Sequence, residues 1–140
     1  MSSRRKAREL ALQLLFQYDL NQFAPRDLID LFWKVHPSDT ENRDFAEFLF
    51  SSFLEHNSQI DSLISRHAEH WRLERMAVVD RNILRMAIIE FLYAETPKIV
   101  VIDEAIEIAR RFSTEESTQF VNGLLDAIRQ EIELQITEEG

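Results

Sequence analysis

A chain of 140 residues is long enough to bury a real core and short enough to be one domain or two tightly joined halves. With 2 Gly and 3 Pro it has too few turn formers for a sandwich, a barrel or a glycine-rich phosphate loop, and with 0 Cys it holds no disulfide, thiolate metal site or cysteine nucleophile. An all-α, soluble, intracellular protein is the expectation, since no uncharged apolar run approaches the roughly 18 to 20 residues that would span a membrane. The 16 basic and 25 acidic residues leave a net charge of −9, which argues against a general nucleic-acid coat protein. The distribution says more than the sum. Arg4, Arg5, Lys6 and Arg8 stand against Glu9 alone in the first ten residues, and the rest of the chain carries 12 basic and 24 acidic residues. A basic end on an acidic body predicts an anion at the N-terminus and a basic macromolecule elsewhere.

Ala7, Leu10, Ala11, Leu14, Leu15 and Tyr18 recur at helical spacing and predict a first helix from Ser3 to Asn21. Pro25 is a first-turn proline for a short second helix carrying Leu28, Ile29, Leu31 and Phe32, which His36-Pro37 closes. Ser38, Asp39 and Thr40 are N-cap candidates for a third, with Phe45, Phe48, Leu49 and Phe53. His56-Asn57-Ser58 predicts a hinge that divides one 1–140 domain into a three-helix half, 1–56, and a second helical half, 57–140. A fourth helix then carries Ile60, Leu63, Ile64 and His67. Residues 76–93 are apolar most of the way round, which predicts a central, buried fifth helix. Val101 to Phe112 define a sixth, with Asp103 and Glu104 near its start and Arg110 and Arg111 at its end, as the helix dipole favours. Ser113 and Glu116 have capping-box spacing and open a seventh, through Phe120, Val121, Leu124, Leu125, Ile128 and Ile132, with residues 131–140 expected to fray.

Catalytic constellations are missing. His67 and His70, with Glu69 between them, lie three apart on a helix but lack a third ligand at matching spacing, so no metal is expected. Gly123 and Gly140 cannot build a nucleophile elbow or a nucleotide loop. The pairs Asp103-Glu104 and Glu115-Glu116 are adjacent in sequence and diverge by about 100° on a helix, which suits solvated helix starts rather than acid-base chemistry.

Two features stand out. Arg5, Arg8, Leu12 and Phe16 form a second stripe along the first helix, and two guanidiniums beside an aromatic suit single-stranded RNA. The plainer reading of the same residues is a solvated basic helix end with Phe16 packed on a second layer, and composition alone prefers it. Gly123 follows Asn122 in a helical pattern where Asn-Gly usually turns, so a close helix crossing is expected there, with a ligand contact as the alternative.

Four ordered blocks then resemble one family. The run from Arg4 to Phe16, Trp71-Arg72-Leu73-Glu74-Arg75 with Val79-Asp80-Arg81-Asn82-Ile83-Leu84-Arg85, Glu104-Ala105-Ile106-Glu107-Ile108-Ala109, and Phe120-Val121-Asn122-Gly123-Leu124-Leu125 resemble the NusB family of transcription antitermination factors, over essentially the whole chain. Asp103 stands where an asparagine is usual and Arg110 where a lysine is. The resemblance implies an all-α fold of about seven helices in two small packed bundles and a non-enzymatic, cytoplasmic role without a cofactor. It implies binding of the single-stranded boxA element of nascent ribosomal RNA together with NusE, a basic small-subunit ribosomal protein, within the RNA polymerase antitermination complex. Self-association as a homodimer stays open. By position, Arg4, Arg5, Lys6 and Arg8 would meet RNA phosphates, Phe112, Glu116 and Phe120 would lie near bases, Phe16 would join the RNA face, and Glu74 and Asp80 the protein-partner face. A module related to the N-terminal part of ribosomal RNA methyltransferases, or a helical adaptor for protein alone, are the alternatives.

Overall fold

The computed structural model describes residues 3–68 and 72–139. Its regular elements are α1 (Ser3–Asn21), α2 (Pro25–Val35), α3 (Thr40–His67), a 3-10 turn (Leu73–Arg75), α4 (Val78–Tyr93), α5 (Lys98–Phe112) and α6 (Glu115–Glu139), with no strand among the described residues. The fold is all-α, as composition and periodicity predict. Local chemistry accounts for several boundaries. Pro25 opens α2, where its missing N–H is not needed. The Asp39 carboxylate caps α3 by accepting from the Asn42 backbone N–H at 2.9 Å.

The predicted third and fourth helices are one element. α3 runs through the expected break and only kinks, at His56 (φ −120°, ψ 21°). No proline or glycine stands there to end the helix. The distortion is stabilised instead by the Asn57 amide, which donates to the Leu54 carbonyl at 3.0 Å, and by the His56 ring stacked on Tyr93 at 4.4 Å. The cap of α6 also differs from expectation. Thr114, not Ser113, accepts from the Ser117 backbone N–H, at 3.1 Å.

Helix α4 is central: each residue from Asn82 to Phe91 is buried, most of them apolar, and the polar Asn82, Arg85 and Glu90 find partners on α1 and α3. It packs against α1, α3, α5 and α6, while α1 also lies on α2 and α3, and α5 on α6. Ala7, Leu10, Ala11, Leu14 and Leu15 of α1 are buried, as the stripe requires. Polar ties lock α4 to its neighbours. Arg81 donates to both oxygens of Asp19 at 2.6 and 2.8 Å, Asn82 to Asp19 at 3.0 Å, and Arg85 to both oxygens of Asp61 at 2.9 Å. Burial pushes the Asp19 pKa upward, but these hydrogen bonds and the Arg85 and Arg81 charges outweigh it and hold the carboxylate below its ordinary range.

At the end expected to fray, helix α6 continues to Glu139, and Glu131 accepts from both Arg66 and His67 of α3. Glu69, His70 and Trp71, invoked above for a metal and for one family block, lie outside the described residues. At Gly123 the expected close crossing is absent: the residue is exposed and an added Cβ would meet nothing within 4 Å. Nothing in the structure explains the glycine. No helix among the described residues is long and apolar enough to cross a membrane.

Candidate nucleic-acid interface

The basic residues of the first turns of α1 fan out to different neighbours, because successive helical positions point about 100° apart. Arg4 is exposed and places its guanidinium 4.0 Å from the centre of the Phe45 ring on α3. Arg5 is half-buried against α5, where it donates through Nε and Nη2 to the two Glu104 oxygens at 3.0 and 2.7 Å. Lys6 is exposed and has no ion-pair partner among the described residues. Arg8 breaks the expected pattern. It is 4% exposed, forks onto both oxygens of Glu90 at 2.6 and 2.8 Å and reaches Glu104 at 3.4 Å.

Arg8 as a phosphate contact is therefore corrected: no phosphate can reach it in this fold. Leu12, next on the same stripe, is also buried, and Phe16 is half-buried. That stripe faces protein because α1 is covered by α3 and α4 together, and α4 and α5 supply the two carboxylates that permit an arginine inside.

A second group collects where α5 meets α6. Phe112 is 41% exposed, with the Arg111 guanidinium 5.3 Å from its ring centre. Glu116 is exposed and Phe120 half-buried, packed partly on the core. Both line a cavity of about 350 Å³ with Arg75, Met76, Ala77, Asp80, Thr114 and Ser117. Glu74 is exposed on the 3-10 turn, one residue before Arg75. The structure thus sets Asp80, assigned by sequence to a protein partner, beside Glu116 and Phe120, assigned to RNA.

Asp80 is no surface charge. It is 7% exposed, and its two oxygens accept from the Ser113 and Ser117 hydroxyls, each at 2.7 Å. It pins the start of α6 to α4, which also explains why Ser113 is not the cap. Its place on an exposed partner face is corrected accordingly.

Sequence reasoning missed Arg110 and Arg111. They read as helix-dipole partners, yet with Arg5 they line a second cavity of about 220 Å³, together with Glu9, Glu107 and Ile108. The available signal was the run of two arginines directly before an aromatic. Among the described residues no group of three His, Asp or Glu could hold a metal ion.

The carboxylates of these ties titrate low. The Arg5 hydrogen bonds lower Glu104 most, against a smaller opposing effect of burial, and the Arg5 and Arg8 charges add to the lowering. Hydrogen bonding from Arg66 does the same for Glu131. With Asp19, three carboxylates have folded pKa values below their unfolded ones, so their stabilisation is complete above about pH 4 to 5 and is lost as pH falls through the folded values. The urea midpoint is expected to hold from neutral pH to about pH 5 and to drop steadily below about pH 4. A midpoint that stays level down to about pH 3 would refute these three ties.

A model of the NusB family matches residues 5–130. The chain belongs to the NusB family. It is 51% identical over 133 residues to the transcription antitermination protein NusB of Koribacter versatilis (strain Ellin345), covering 94% of this chain and 91% of that protein. Among solved structures, T. maritima NusB superposes with a TM-score of 0.82 at 41% identity, covering 91% of each chain. A solved complex of antitermination factors NusB and NusE with dsRNA superposes with a TM-score of 0.84 at 26% identity, covering 94% of this chain and 98% of that one. The helices that carry the two cavities in this NusB-family chain, α1, α4, α5 and α6, fall largely within the matched residues.

Proposed function

We propose that this NusB-family chain binds RNA together with a NusE-type ribosomal protein and acts in transcription antitermination, as a binding protein and not an enzyme. The observation that carries the RNA part is the joint of α1, α5 and α6. On a chain of net charge −9, three guanidiniums line one cavity and an exposed aromatic adjoins the last of them. Cations beside rings suit the phosphates and unpaired bases of single-stranded RNA. The relatives' role in antitermination and the solved complex with NusE and dsRNA support the partner assignments. In this reading the RNA is a single-stranded, boxA-like element of a nascent transcript, and the chain works in the cytoplasm beside RNA polymerase. Arg4, Arg5 and Lys6 meet phosphates, Phe112, Glu116 and Phe120 face bases, and Phe16 and Glu74 lie at the edges of the RNA and protein contacts.

Phe120 provides the sharpest test, because its ring is partly packed and partly open to the larger cavity. Phe120→Leu is expected to keep most stability, since volume is largely conserved, yet to lose roughly 1 to 3 kcal/mol of RNA binding with the flat face. Urea melts and RNA titrations, with and without a NusE-type partner, measure both. Normal RNA affinity in Phe120→Leu would remove the ring from the interface. Absence of RNA binding by the wild-type chain with its partner would remove the function.

A further inference from the structure

The arginines at the end of α5 have an electrostatic explanation that needs no ligand, because a helix C-terminus favours positive charge within its last turn. That accounts for a basic residue at position 110 or 111. It does not account for Arg5, from the far end of the sequence, opening onto the same cavity of about 220 Å³. Nor are the ion pairs of the cavity built alike. Arg5 is held by a forked pair to a carboxylate that is largely buried. Arg110 pairs with Glu107 one turn back with both side chains about half exposed, whereas Arg111, its own side chain 66% exposed, reaches at 2.9 Å a Glu9 carboxylate that is as buried as Glu104. An exposed pair such as Arg110–Glu107 adds little to stability, so the fold loses little when Arg110 exchanges partners, and Arg111 spends only Nη1 on Glu9 and keeps the rest of its guanidinium open.

Resting on the RNA reading above, we propose that Arg110 and Arg111 form, with Arg5, a phosphate-binding basin for single-stranded RNA. Glu107 serves there as a resident counter-ion that the phosphates displace, while Arg111 keeps its bond to Glu9 through Nη1 and offers its other donors. Guanidiniums suit this exchange: each presents several donors in a fixed fork that fits carboxylate and phosphate oxygens alike. Arg5 and Arg111 anchor the basin through buried carboxylates and Arg110 is its exchangeable member. Phe112, beside Arg111, continues the surface with a ring on which an adjoining base can stack. Backbone recognition at this end is indifferent to sequence, so base preference is left to the larger cavity around Glu116 and Phe120.

The test uses the full chain with its NusE-type partner and a labelled single-stranded oligoribonucleotide, titrated over a range of salt concentrations, with a duplex of the same sequence as comparison. Arg110→Gln combined with Arg111→Gln is expected to remain folded, with a urea midpoint lowered by the loss of the Arg111 guanidinium from Glu9, and binding is compared without urea at a temperature where both proteins are folded. The double variant should weaken single-strand binding on the order of tenfold at low salt and lower the log-log salt slope by about 1.4, or about 0.7 for each lost phosphate contact. Arg26→Gln with Lys34→Gln changes net charge equally on the exposed side of α2 and is expected to leave the slope as it was. If the α5 pair and the α2 pair behave alike, the basin is overturned while the RNA reading stands. If the α5 pair affects only the duplex, the single-strand assignment is overturned. No RNA binding by the wild-type complex overturns the RNA reading and the basin together.

Discussion

Arg8→Ala is expected to destabilise the chain by roughly 3 to 5 kcal/mol, because it leaves Glu90 charged inside the protein without its guanidinium. Glu90 is 1% exposed, and its remaining partner would be the Thr96 hydroxyl, which donates to it at 3.2 Å. One hydroxyl does not replace a forked arginine. Urea unfolding measures the loss, and a variant within about 1 kcal/mol of wild type would show that the pair does not hold α1 to α4. A second variant separates structure from RNA contact. Arg8→Met with Glu90→Leu removes both charges and fills the space with apolar groups, a change that in buried pairs is often neutral or stabilising. It is expected to recover most of the stability and to keep the wild-type salt slope for RNA. A slope lower by about 0.7 in that double variant would restore Arg8 as a phosphate contact.

Asp80→Ala is expected to cost roughly 3 to 6 kcal/mol, from two hydrogen bonds to a buried carboxylate at about 1.5 to 3 kcal/mol each. The loss should be localised. Ser113 and Ser117 flank the Thr114 cap, so the first turn of α6 loses its tie to α4, and with it the wall of the larger cavity. Amide hydrogen exchange is expected to speed up first at Ser117 and Thr118, ahead of the α4 core. Asp80→Asn keeps acceptor capacity for one serine and is expected to lose less. A stable Asp80→Ala variant that fails only in partner binding would return Asp80 to the protein-partner face, where the sequence reading put it.

These two residues show where sequence reading stops. The periodicity of Ala7, Leu10, Ala11, Leu14 and Leu15 locates α1 and its core face, since an apolar stripe at helical spacing has one stable way to be buried. The same logic finds α2 from Pro25, the cap at Asp39, and the central position of α4 from apolar residues that go most of the way round it. It fails at His56, where cap-forming residues suggest an end but no helix breaker enforces one. It fails again at Gly123, where local cost suggests a packing purpose and the helix instead faces open space.

What the sequence determined by itself was the helical class, most helix boundaries, the basic end on an acidic body, and the ordered blocks that mark the family. Each follows from spacing along the chain or from simple counts. Only the tertiary structure decided which charges are inside and which are available. Arg8 is buried because Glu90 and Glu104 arrive from 82 and 96 residues away, and Arg5 joins Arg110 and Arg111 because α1 and α5 meet. A helical pattern shows which face of an element is apolar. It carries no information about which charged side chain a distant helix will set against it, and in a low-dielectric interior that pairing determines whether an arginine is structural or free to meet a phosphate.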